Sequence, residues 1–181
     1  MLRLVVPISP EGWDEQKEEF VEAKTQILQL EHSLVSLSKW ESKWCKPFLS
    51  NGQKTEEEIL DYIKYMTINQ SVNPEVYYHL TADNFKEIDK YINAPMTATT
   101  FSEDKNGKRN REIITAELIY YWMIALQIPF ECQKWHLNRL LTLVRVCNIK
   151  NQPPQKRGKR DMVNSYAQLN AARRKQLNTR G

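Results

Sequence analysis

Glycine is scarce, with five residues in a chain of 181. A phosphate-cradling loop needs several backbone positions free of Cβ, so this poverty argues against a glycine-rich nucleotide site. No Walker loop, dinucleotide-binding fingerprint or nucleophile elbow appears. The three cysteines, Cys45, Cys132 and Cys147, are odd in number and dispersed. They read as reduced thiols of a cytosol-like compartment rather than as a disulfide framework. No apolar run approaches the ~18 residues of a membrane span. The opening MLRLVVPISPEGWDE has too short an apolar segment for a secretory signal and lacks a small-residue cleavage site.

Catalytic constellations are also lacking. His32, His79 and His136 fall on three different elements, and no H-x-x-x-H or H-E-x-x-H is present. Cys132 and His136 stand four apart, a spacing that suits two ligands on one helical turn. No second pair completes a tetrahedral site. As a nucleophile and its base, the same two residues need a geometry that spacing alone does not supply. His32 alternates with leucines and reads as a packed, hydrogen-bonded core histidine. The expectation is a protein without catalytic residues, cofactor or metal, and not an enzyme.

What is present is charge of uneven placement. Residues 151–181 hold eight basic residues and one acid, a net of +7; the remainder has 26 − 8 = 18 basic and 22 − 1 = 21 acidic residues, a net of −3. A mildly acidic body thus carries a basic tail, with Lys156, Arg157, Lys159, Arg160, Arg173, Arg174 and Lys175 as its candidate contacts. The tail suits an acidic partner or nucleic acid. A 41% hydrophobic and 27% charged composition is that of an ordinary soluble domain. The expected organisation is one α+β domain over 1–150, with a β-rich start (1–35) and a helical core of about five helices (36–150). A basic tail, 151–181, is expected to be mobile or to order on a partner.

The stretch Leu28–Trp44 organises the rest. Leu28, Leu30, His32 and Leu34 alternate as on a strand, whereas Leu34, Leu37, Trp40 and Trp44 recur as on a helix. Ser38 and Glu41 form a capping-box pattern, which predicts a helix beginning near Ser38 and stopped by Pro47. Trp40 and Trp44 are either core residues or a surface shown to a partner. Upstream, residues 2–6 alternate as a strand. Phe20–Thr25 and Thr25–Ser33 read as two more, so a small antiparallel sheet is expected, with a helix over 14–24 as the competing reading.

Downstream, Thr55 followed by three glutamates caps a helix over 56–67 with the stripe Ile59, Leu60, Ile63 and Met66. Those glutamates are accounted for by capping and are not recruited as acid/base groups. Asn73-Pro74 starts a short helix to residue 80, and Thr81 caps another bearing Phe85, Ile88 and Ile92, ended by Pro95. Met96–Phe101 is β-prone and reads as an edge strand. The loop 102–111 carries Lys105, Lys108, Arg109 and Arg111, an anion contact or simply a solvated cluster. Glu112–Leu126 is apolar nearly all round. It reads as the most buried helix, or as one covered on one side by a partner, with Tyr121 and Trp122 as candidate contacts. Gln133–Val146 is the last core helix, with Trp135 as a further candidate contact. Asp161–Gln176 reads as a polar helix too weakly apolar to fold alone.

Four blocks carry a resemblance: LEHSLVSLSKWESKW with KPFL, INAPMTATTF, the run REIITAELIYYWMIALQIPFECQKWHLNRLLTLVRVCNIKN, and the ending LNAARRKQLNTRG. Together they resemble a group of tailed-bacteriophage proteins of the structural module, often described as tail assembly chaperones. The resemblance implies a soluble, non-enzymatic helper in the host cytoplasm. Such a helper binds the helix-rich tape-measure protein and keeps it from aggregating while the tail tube polymerises; the tube protein is a further potential partner. It is often made in a short and a frameshift-extended form. Two other classes stay open. One is a virion structural protein such as a head–tail adaptor or connector, in which the chain is a homo-oligomer. The other is a nucleic-acid-binding accessory protein, although Tyr166 stands alone in the tail as a stacking aromatic.

Overall fold

The computed structural model describes residues 1–9, 12–14, 19–21, 24–101, 112–152 and 159–177. The chain divides into a compact unit, Met1–Cys147, and a second unit, Asn148–Gly181. It is mostly helical with a small antiparallel N-terminal sheet, the α+β class expected.

Strand β1 (Leu2–Ser9) pairs antiparallel with β4 (Lys24–Leu30), Leu2 opposite Leu30 and Val5 opposite Ile27. The connection carries a second antiparallel pair, β2 (Gly12–Asp14) with β3 (Glu19–Val21). The strand reading therefore holds where 14–24 is described, and the helix alternative does not. Alternation puts Leu4, Val6, Leu28 and Leu30 on the buried face and leaves Val5 and Ile27 exposed. The outer edge of β4 is closed by the segment after the second helix. Ile68 N–H donates to the Gln29 carbonyl (2.8 Å). The Asn69 side chain prolongs the ladder, accepting from Gln29 N–H (2.6 Å) and donating to the Ile27 carbonyl (3.1 Å). An amide side chain thus does the work of a backbone strand and blunts an edge that would otherwise invite pairing.

Helix α1 (Leu34–Trp44) begins a turn earlier than the Ser38–Glu41 pattern predicts. The cap is Ser33, which exchanges side-chain and backbone bonds with Ser36. Ser38 lies inside the helix, and Glu41 is engaged elsewhere. The helix closes at Cys45 in the left-handed region (φ 51), where a glycine commonly sits. Helix α2 (Glu56–Met66) has the expected Thr55–Glu58 capping box. A 3-10 helix (Pro74–His79) is capped by Asn73, and α3 (Ala82–Asn93) by Thr81.

Met96–Phe101 is not a strand. Met96 takes φ 48, which breaks the extended run, and no strand pairs with it among the described residues. Helix α4 (Ala116–Ala125) starts at the Thr115 cap, four residues later than expected. It ends with Gln127 at φ 54, Gln127 N–H on the Ile124 carbonyl and Ile128 N–H on the Met123 carbonyl, a Schellman closure ahead of Pro129. The helix expected over Gln133–Val146 is divided into a 3-10 helix (Phe130–Lys134) and α5 (Leu137–Asn151). The break at Trp135–His136 is tertiary in origin. Ser33 and His136 form a β-bridge, and Leu137 N–H donates to the His32 carbonyl (2.7 Å).

Two apolar cores result, and α1 feeds both. Trp40 joins Leu4, Leu28, Ile63, Met66 and Ile88 in the first. Leu34 and Leu37 join Ile119, Met123, Leu137 and Leu140 in the second.

The second unit contains α6 (Lys159–Leu177), with every described side chain of the helix exposed. The basic loop cluster 105–111 lies outside the described residues.

Candidate partner-binding surface

Between the two cores runs a seam of buried polar groups, the first place to look for chemistry. His32 Nδ1 shares a hydrogen bond of 2.5 Å with the Tyr62 hydroxyl, and the His32 and His136 rings meet edge to face at 5.1 Å. His136 Nε2 bonds the Tyr91 carbonyl (3.0 Å). The Tyr91 hydroxyl donates to Glu31 (2.6 Å), whose other oxygen meets the N-terminal ammonium (2.9 Å). Burial, helped by His136, drives His32 down to about 3. Burial also lowers His136, against the pull of the Tyr91 carbonyl. Burial holds Tyr62 protonated, and burial with Glu31 does the same for Tyr91. His32 is thus neutral at pH 7 and buried, and the bonds of the seam fasten β4, α2, α3 and α5 together. Among the described residues no three His, Cys, Asp or Glu side chains are grouped to hold a metal ion.

A second polar fastener is Glu41, only 7% exposed. Its carboxylate accepts from Ala116 N–H (2.7 Å), the first residue of α4, and from Phe48 N–H (2.8 Å) in the loop after α1. It therefore caps a helix 75 residues away. Spacing along the chain carries no signal of this role. Nearby, the Lys46 ammonium (2.5 Å) and the Thr55 N–H hold Glu58 below the usual carboxylate range. Burial works to raise Asp61, but Lys43 and Lys64 outweigh it and leave it lowered.

The aromatic candidates separate into two groups. Trp40 is 1% exposed, its Nε1–H donating to the Glu58 carbonyl (2.8 Å); it is a core residue and meets no partner in this fold. Trp44 is half-buried against the same core, 6.4 Å from Trp40, with the Lys43 and Lys46 ammoniums over its ring. Trp122 is half-buried against the second core, as is Trp135, on which the Arg139 guanidinium stacks at 4.2 Å. Tyr121 alone of the five is open, at 63% exposed.

Tyr121 does not stand by itself. Helix α4 buries Ala116, Ile119 and Met123 on one face and turns Tyr121 and Ile124 outward on the other, Ile124 also at 63%. Three-residue spacing makes these two neighbours on the helix surface. Ile113, just before the helix, and Phe130, just after it, are exposed as well. Tyr120 anchors the edge of this face, its hydroxyl donating to Gln133 (2.9 Å) and its ring 6.5 Å from Phe130. Of the two readings of this helix, that of the most buried one is therefore corrected. One face shares the second core with residues of α1 and α5, and Tyr121 and Ile124 on the other are exposed.

The basic-tail candidates are placed only in part. Arg173, Arg174 and Lys175 are exposed on the last turns of α6, and Lys159 and Arg160 lie in its first turn. Lys156 and Arg157 lie outside the described residues. No helix is long and apolar enough to cross a membrane. Neither a family model, nor a curated protein, nor a solved structure matches the chain.

Proposed function

We propose that this protein is a non-enzymatic assembly helper of the phage tail-chaperone kind, which holds an amphipathic helix of the tape-measure protein against the outer face of α4. The observation that carries the reading is the pair Tyr121 and Ile124, large apolar side chains that the fold leaves open beside each other. Exposed apolar surface of this kind marks a binding face, and a helix laid into it by i, i+3 and i+4 anchors is a recurrent mode of recognition. The resemblance in four sequence blocks supports the phage setting and the host cytoplasm as the place of action.

A virion structural role, such as a head–tail adaptor, is favoured instead by α6, a helix whose described side chains are all exposed and which would order between neighbouring subunits. Co-expression of the full chain with the tape-measure protein of the same phage separates the two. The helper reading expects tape-measure protein to be soluble with this chain and insoluble without it. It also expects the Tyr121→Ser/Ile124→Ser variant to lose that effect. Recovery of this chain in purified particles, with tape-measure solubility unchanged by its presence, overturns it in favour of the structural role.

A further inference from the structure

An apolar groove runs between α2 and α3. Ile59 and Ile63 form one wall and Phe85, Ile88 and Ile92 the other, with Asp89 at its rim and a volume of about 390 Å³. Ile59 and Phe85 are each more than a third exposed. The groove lies on the other core from α4, away from the face assigned to a partner above.

The surroundings of the groove are acidic. The helices that carry the walls, α2 and α3, hold five exposed acids, Glu56, Glu57, Asp83, Glu87 and Asp89, against two exposed bases, Lys86 and Lys90, while Glu58 and Asp61 are buried in ion pairs. Of the lining residues, Asp89 and Lys54 carry charge. The occupant that fits is an amphipathic helix with basic flanks.

The chain itself contains such a helix. In α6, Val163, Tyr166 and Leu169 recur at three-residue steps and all are exposed, as is Leu177. Arg173, Arg174 and Lys175 follow them, in a segment of net +7 over 151–181. From Val163 to Leu169 the helix rises about 9 Å, within the roughly 16 Å length of α2. A helix with this little apolar surface is marginal in water unless it is covered.

We propose that α6 of one copy docks in the α2–α3 groove of a second copy, its apolar stripe against Ile59, Phe85 and Ile92 and its arginines toward the acidic rim. Each copy then offers one helix and one groove. The exchange closes on itself as a reciprocal dimer or a ring, or runs on as an open chain. This assembly does not depend on what covers α4.

The test is light scattering of the nuclease-treated full chain across the micromolar range, with two variants. One, Tyr166→Asp/Leu169→Asp, blunts the helix; the other, Phe85→Lys, blocks the groove. The wild type is expected to grow beyond a monomer with concentration and to shrink again in high salt. Each variant alone is expected to be monomeric. An equimolar mixture is expected to give a 1:1 complex and nothing larger, because one variant keeps its groove and the other its helix. Circular dichroism checks that Phe85→Lys is folded; if it is not, the exposed Asp89→Lys replaces it. A wild type that stays monomeric throughout overturns the proposal. So does a blunted variant that assembles as the wild type does, or a mixture that forms no complex.

Discussion

Helices α1 and α4 pack against each other, yet they treat their large aromatics in opposite ways. Helix α1 turns Trp40 fully inward and gives its indole N–H a carbonyl to meet, that of Glu58. Helix α4 turns Tyr121 and Ile124 outward and leaves both exposed. Both helices are rich in apolar residues, so hydrophobicity alone does not separate core from contact surface. The difference lies in the neighbours. Trp40 shares its core with residues of β1, β4, α2 and α3, whereas the buried face of α4 shares its core with residues of α1 and α5.

The comparison is broken most severely at Trp40. Trp40→Ala removes a buried indole from the first core and leaves the Glu58 carbonyl without its partner. A loss of about 3–5 kcal/mol in unfolding free energy is expected, measured by urea titration. A loss under about 1 kcal/mol would mean that the first core collapses around the gap or that Trp40 is not packed as described.

Next in size is the joint between the two helices. Glu41→Ala takes one carboxylate from two backbone N–H groups, those of Ala116 and Phe48. Hydrogen bonds to a charged group contribute about 1.5–3 kcal/mol each, and the two are not independent, so roughly 3 kcal/mol is expected. Glu41→Gln keeps one acceptor oxygen and is expected to lose about half of that. Amide exchange at Ala116 should speed up in both variants more than exchange within α2 does.

The polar seam gives the comparison a pH dependence. His32 titrates near 6.5 when unfolded and is driven down to about 3 in the fold. The unfolded chain therefore binds this proton more readily than the native one. The cost to stability is nil well above 6.5 and grows as pH falls from there toward 3, by about 1.4 kcal/mol for each pH unit. Between pH 6.5 and 5, where carboxylates remain ionised, the melting temperature of the wild type should fall. His32→Gln, which keeps a polar partner for Tyr62, should be less stable at neutral pH and fall less steeply across that window, where the lowered His136 still contributes. A wild type that is flat there would place a charged, solvated imidazole at His32.

How much of this is legible along the chain depends on range. The Thr55–Glu58 cap and the stripe of α2 lie within eleven or twelve residues, and the pattern places that helix to within a residue. The start of α1 is harder because Ser38–Glu41 has the capping-box pattern, whereas Ser33 and Ser36 form the cap. The choice between them is made by Ala116, 75 residues on, which takes Glu41 away. The break at Trp135–His136 is likewise set by Ser33 and His32, about a hundred residues earlier. Of the candidate contacts, Trp40 and Tyr121 cannot be told apart by residue type or period. Only the packing around each one separates them.

The smallest expected effect is also the one that bears on function. Tyr121→Ser and Ile124→Ser remove apolar surface that the fold leaves in water, so each should change stability by no more than about 0.5 kcal/mol. If α4 is the face that holds a partner helix, the double variant keeps its melting temperature and loses the partner. If the two residues instead belong to the core through motion of α4, stability and partner binding fall together. Thermal melts and partner capture measured on one preparation tell these outcomes apart. The contrast with Trp40→Ala then states the difference between the helices in energy: several kcal/mol at one aromatic, almost none at the other.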